Sequence, residues 1–176
     1  MKMRRAQGFA LIDLIFVCGI IGLLASIALP RLLLAKQAAG SASAIGSMRT
    51  VNSAQLTYAL TCGNGFYAPS LSTLGTPPAG SRESFVSSDL GAADVIIKSG
   101  YTIQLSATAY AGAPATCNGL GAGMAGQGFK AAGDPVEPLN PRFFATNANG
   151  LIYEHNSTLW GVVPEVGEPP SGHPLR

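Results

Sequence analysis

Charge is what this sequence has least of. Only 11% of its 176 residues are Asp, Glu, Lys or Arg, while 47% are apolar, so the mixed charged surface of a typical soluble domain is missing. Basic charge in excess is missing too. The formal net charge is +2, but Lys2, Arg4 and Arg5 fall within the first eight positions, and without them eight basic residues face nine acidic ones. No basic patch or basic-aromatic interleaving exists, which excludes nucleic-acid binding by bulk charge.

Histidine is equally scarce, with two residues. His155 ends an expected strand and His173 lies in a proline-rich stretch. Neither stands at a spacing that ligates a metal or serves a nucleophile, and both read as surface residues. The glycine-rich "GAPATCNGLGAGMAGQG", residues 112 to 128, has no Lys-Ser or Lys-Thr pair after its glycines and reads as a loop, not a phosphate cradle. The sequence thus points to no catalytic residue, no cofactor and no metal site, and to a protein that is not an enzyme.

Three cysteines are present, and no CxxC or Cys/His spacing suggests zinc. Cys18 lies inside an apolar run and reads as a small buried hydrophobe. Cys62 and Cys117 remain as an even pair. In an oxidising compartment a Cys62–Cys117 disulfide is the better reading, two unpaired thiols being the alternative.

What is there in quantity is apolar length. From Phe9 to Pro30 run 22 residues with one charge, Asp13; as a helix they span roughly 33 Å, enough to cross a bilayer. A basic leader before an apolar run has several meanings. A lipoprotein signal needs a small residue before its cysteine, and Val17 precedes Cys18. A secretory signal could be cut after Ala28 in Ser26-Ile27-Ala28, although Asp13 within the run and Pro30 just beyond the cut suit it poorly. A plain membrane anchor and a prepilin-type signal complete the set.

The last reading draws on "MKMRRAQG" followed by "FALID": a short basic leader, Gly8-Phe9, a carboxylate four residues after Phe9, and Pro30 closing the run. Over residues 1 to about 60 this resembles the type IV pilin and type II secretion pseudopilin family. The resemblance implies that a prepilin peptidase/methyltransferase cuts after Gly8 and methylates the new amine of Phe9, leaving the apolar run in the mature chain. Asp13 stands where that family usually has glutamate, one methylene longer. An ammonium at Phe9 would sit at the positive end of a helix dipole next to hydrocarbon and needs a counter-charge. Asp13, one turn along, can supply it to its own amine or to a neighbour's. An unpaired carboxylate at the bilayer centre costs about 2.5–3.5 kcal/mol on insertion scales, so pairing between subunits would favour assembly and set helix register. The alternative leaves Asp13 at the interface, touching water or headgroups.

Pro30 lacks an N–H and is expected to kink or loosen the helix. Beyond it the helix is expected to continue to about residue 61, with Ile45, Met48, Val51, Leu56 and Leu60 facing a core, and with Ala38, Ala39, Gly40, Ala42 and Ala44 allowing close helix approach. "CGNG" at 62 to 65 should end it. Residues 66 to 99 read mostly as loop, anchored by Leu71 and Leu74. "GYTIQLSATAY", 100 to 110, alternates as a half-buried strand. Asn149-Gly150 predicts a tight hairpin, with Phe143, Phe144, Leu151, Ile152 and Tyr153 supplying the sheet. The four-proline stretch from Val162 onward reads as extended on the surface.

The expected organisation is a cleaved leader 1–8, a long helix 9–61 whose transmembrane half is 9–30, and a globular region 62–176. The fold class is α+β, and the resemblance implies a pilin-like long helix packed on an antiparallel sheet of three to four strands. It does not extend to the calcium site of the major pseudopilins: "GDPVEPLNPRFF" has Val136 and Glu137 where that motif has Trp-Gly after Asp-Pro, so Asp134, Glu137 and Glu154 are not assigned as ligands. Asn156-Ser157-Thr158 is a glycosylation sequon, with Glu154 two residues ahead as in the extended bacterial form.

The function implied is that of a filament subunit: a single-pass inner-membrane precursor that polymerises through its helix into a helical filament at the cell surface or in the periplasm. Its partners would be membrane lipid, the peptidase, an inner-membrane assembly platform with its ATPase, and further copies of itself. The alternatives are a secretion pseudopilin, a minor pilin serving adhesion or DNA capture, and an envelope anchor that never polymerises.

Overall fold

Residues from Leu11 onward are rich in Leu, Ile and Ala and form α1 (Leu11–Thr61), 51 residues with Pro30 inside it. The structure, a computed structural model, describes residues 11–138 and 140–175. The leader and the Gly8-Phe9 junction lie outside the described residues. The chain divides into two compact units, Met1–Ala38 and Ala39–Arg176. α1 stops where expected: Asn64 and Gly65 take positive φ of 50° and 90°, and the N–H groups of Gly63 and Gly65 donate to the carbonyls of Tyr58 and Ala59, satisfying the orphan acceptors of the last turn.

The second unit holds a short helix, α2 (Leu71–Gly75), and six strands: β1 (Val95–Lys98), β2 (Tyr101–Ser106), β3 (Lys130–Pro135), β4 (Phe143–Asn147), β5 (Ile152–His155) and β6 (His173–Pro174). They form one antiparallel sheet in chain order. The architecture is α+β, with a helix packed on six strands in place of the three or four expected. β2 follows its alternation, with Tyr101, Ile103 and Leu105 buried.

Residues 66 to 99 are less loop-like than anticipated. Leu71 and Leu74 are fully buried, but on α2, which Ser70 caps by accepting from the Thr73 N–H. β1 pairs with β2 through Ser99 and Gly100, both at positive φ of 51° and 81°, as a two-residue hairpin of this twist requires. The Asn149-Gly150 turn is looser than the tight hairpin expected. Gly150 donates to the Asn147 carbonyl at 2.9 Å and has φ of 76°, while the last paired residues are Thr146 and Ile152.

On the inner face of the sheet, α1 contributes Ala44, Met48, Val51, Ala54 and Tyr58, with Cys62 just beyond its end, to a core shared with Ile96, Tyr101, Ile103, Leu105, Ala131 and Phe144. Each large apolar side chain buried there is worth about 1.5–3 kcal/mol. Ile45 packs against this core and Met48 and Val51 lie in it, as expected. Leu56 and Leu60 do not; they are 55% and 75% exposed. The stripe instead runs through Gln55, fully buried, whose amide donates to Ala68 O at 2.8 Å and accepts from Ala68 N at 2.9 Å. A side-chain amide so paired costs little to bury.

The outer face carries a second cluster, Ala132, Ala145 and Tyr153 under Leu159 and Val163, with Trp160 packed beside them. Of the described residues in the segment expected to lie extended on the surface, Val163 alone is buried, closing this cluster with Leu159. Asn147 Nδ2 donates to the carbonyls of Pro164 and Gly167 at 3.0 and 2.6 Å. Glu165 Oε1 accepts from Thr108 N at 2.6 Å, and Lys130 Nζ donates to Trp160 O at 3.1 Å.

Candidate functional site

Between Leu11 and Leu34, fifteen large apolar side chains are exposed, from Val17 and Ile20 at 47% and 43% to Leu11 and Ile12 at 73%. They surround the helix and do not form one stripe. A helix apolar on all sides belongs in a core or in lipid, and within the first unit nothing covers these residues. Among the described residues this is the one helix long and apolar enough to cross a membrane.

The polar groups of the segment are few. Asp13 lies in the first turn of α1, exposed and without a partner among the described residues. Ser26 Oγ donates to Leu23 O at 2.8 Å, so its hydroxyl is satisfied within the helix, as an apolar surrounding demands. Pro30 removes the N–H that the Ser26 carbonyl would otherwise receive, and α1 nonetheless runs through it. Arg31 and Lys36 follow. Cys18 is an exposed free thiol, not the buried small hydrophobe read from the sequence, because its neighbours on the helix face outward too. The Gly8-Phe9 junction and the Phe9 amine lie outside the described residues, so the distance from Asp13 to that amine is not part of this geometry.

In the second unit Cys62, at the end of α1, is bonded to Cys117, 55 residues on. The Cys117 N–H donates to Cys62 O at 3.2 Å, and Tyr67 and Gly126 exchange bonds at 2.8 and 3.0 Å, so the glycine-rich loop is held against the helix end.

One polar hub went unforeseen. Tyr101 Oη lies 2.9 Å from Ser41 Oγ, receives Asn140 Nδ2 at 3.0 Å and donates to Arg142 O at 3.0 Å. Arg142 then grips Glu154 with two bonds, Nε to Oε1 at 2.6 Å and Nη2 to Oε2 at 3.1 Å. Those bonds hold the Glu154 carboxyl below its ordinary value and raise the guanidinium's. A cleft of about 560 Å³ opens beside the pair, lined also by His173, Pro174 and Leu175, but its charged groups are spent on each other. The signal for the hub lay in strand register alone, since none of its members is unusual in sequence.

Asp134, set aside as a calcium ligand, lies on β3 with Oδ2 accepting from Thr158 Oγ1 at 2.6 Å. Among the described residues no three His, Cys, Asp or Glu side chains gather as metal ligands would. No family model, curated protein or solved structure matches this chain.

Proposed function

We propose that this chain is a structural subunit of a type IV pilus-like filament, made as an inner-membrane precursor, cut after Gly8, methylated on Phe9 and polymerised through α1. The observation that carries the reading is the exposed, all-round apolar helix with a single acid in its first turn. Such a surface calls for lipid before assembly and for neighbouring helices after it. The carboxylate at Asp13 calls for a cation, which leader cleavage would create at Phe9.

Charge and redox support the orientation. Lys2, Arg4 and Arg5 outnumber Arg31 and Lys36 across the apolar run, which favours a cytoplasmic leader. The second unit then lies on the far side, where a Cys62–Cys117 disulfide is stable. Prepilin peptidase, assembly platform and ATPase are the partners this requires.

A membrane anchor that never polymerises would cover the same apolar residues with lipid alone and leaves Asp13 unexplained. Mass spectrometry of the mature chain separates the two. A chain beginning at N-methylated Phe9 and recovered from sheared filaments is expected. One beginning at Leu29 or Met1 would overturn the reading, and a chain cut at Phe9 but absent from filaments would leave the anchor. Pseudopilin and minor-pilin roles differ from the main reading in copy number and site of assembly, which quantitation of the same filaments measures.

A further inference from the structure

The sequence has seven asparagines, and the fold uses six. The side chains of Asn52, Asn64, Asn118, Asn140, Asn147 and Asn149 each hydrogen-bond to backbone or side-chain groups elsewhere in the second unit. Asn156 alone is exposed with its amide unengaged among the described residues. It is also the only asparagine in an Asn-x-Ser/Thr sequon. Fold and motif are independent of one another here, and they select the same residue.

We infer that Asn156 is a glycan acceptor. Its position suits the role: Asn156 and Ser157 are exposed in a bend directly after β5. The following residues Leu159 and Val163 cover the outer face of the sheet, whereas α1 packs on the inner face. A glycan here is attached past the end of β5, at a residue that belongs to neither core cluster. The co-substrate is a glycan on a polyprenyl diphosphate. The Asn156 Nδ2–C1 bond forms as the C1–O bond to the diphosphate breaks, the bonding pair leaves with the lipid diphosphate, and one amide proton passes to base.

The other sequon groups are engaged once the sheet closes. Thr158 Oγ1 is bonded to Asp134, and Glu154, two residues ahead, is bonded to Arg142. Attachment therefore belongs to the emerging chain, before residues 152–158 settle.

The inference rests on the second unit lying outside the cytoplasm, and one experiment tests both. The full-length protein is isolated from the membranes and filaments of its own cells, and its N-terminus, Cys62–Cys117 linkage and Asn156 peptide are read by mass spectrometry. A glycan mass on the Asn156 peptide is expected, lost in Asn156→Gln and Thr158→Val and kept in Thr158→Ser. An unmodified Asn156 in a disulfide-bonded chain beginning at Phe9 overturns the glycan and leaves the orientation standing. Free thiols at Cys62 and Cys117 with an unmodified Asn156 overturn both.

Discussion

Thr158 Oγ1 donates to Asp134 Oδ2 at 2.6 Å, while Asp134 Oδ1, in the same carboxylate, is buried with no partner among the described residues. Burial outweighs the Thr158 bond and lifts the Asp134 carboxyl above its ordinary value.

A carboxyl raised in this way stabilises the fold while protonated; the contribution is complete below the unfolded-state pKa and is lost as pH rises through the folded value. An uncharged orphan costs less than a charged one. Asp134→Asn should therefore raise the thermal midpoint at about pH 7 by roughly 4 °C, on the order of 1 kcal/mol. The gain should vanish near pH 3. Thermal unfolding of the full chain in detergent at both pH values measures it, and equal midpoints at neutral pH would contradict the assignment.

Glu154 titrates with the opposite sign. Arg142 holds its carboxyl low, chiefly by hydrogen bonding, so the pair stabilises above the unfolded-state pKa and fails as pH falls through the folded one. The two side chains are 43% and 19% exposed, and solvent screening limits the loss in Glu154→Gln to about 1 kcal/mol at neutral pH. Parent and variant should converge once pH has fallen below the lowered carboxyl's range. The same unfolding series reads this directly.

The Cys62–Cys117 bond closes a loop of 55 residues. Chain entropy assigns such a cross-link about 4 kcal/mol, and native disulfides typically contribute about 2–5. The double variant Cys62→Ser, Cys117→Ser should lose stability on that scale, and reductant should lower the parent to the same midpoint. A variant as stable as the oxidised parent would mean that the backbone bonds around Cys117 suffice without it.

Asp13 carries the functional prediction. Asp13→Ala should leave cleavage after Gly8 intact and abolish incorporation into filaments, read by blotting sheared and cell-bound fractions. Asp13→Glu, which restores the missing methylene, should keep incorporation. Normal filaments from the alanine variant would remove the assembly role and leave an interfacial contact with water or headgroups.

The apolar helix, its end at Gly63 to Gly65, β2 and the cysteine pairing were legible because each rests on local chemistry: periodicity, left-handed turn residues, alternation, an even thiol count. β3 was not. "KAAGDP" is poor in strand formers, and it forms the sheet interior because α1 needs small residues beneath it. A Cβ on Gly133 would lie 3.3 Å from Ile103 Cδ1 and 3.6 Å from Met48 Cε, so tertiary packing overrides propensity there.

Leu56 and Leu60 misled for a related reason. Apolarity placed them inward, yet the buried stripe at Met48, Val51, Gln55, Tyr58 and Cys62 steps by three and four residues and takes a glutamine in stride. Only the pair of hydrogen bonds between Gln55 and Ala68 makes that position habitable, and Ala68 lies beyond the helix. Of the proposed assembly site, the sequence revealed everything now described: Asp13, the apolar surface and Pro30. The Arg142–Glu154 grip and the Tyr101 hub depend on contacts across strands that no single segment encodes.

The sheet is enclosed by segments far apart in the order of synthesis, α1 on one face and residues 159–163 on the other, with β6 paired only at His173 and Pro174. A ribosome has therefore made the helix long before the cover for Tyr153 exists. A chain interrupted before about residue 160 would expose the outer cluster and an unfinished edge, and would be an easy target for proteases. Closure of the outer face thus waits on residues 159–163, which are made after every strand of the sheet but β6.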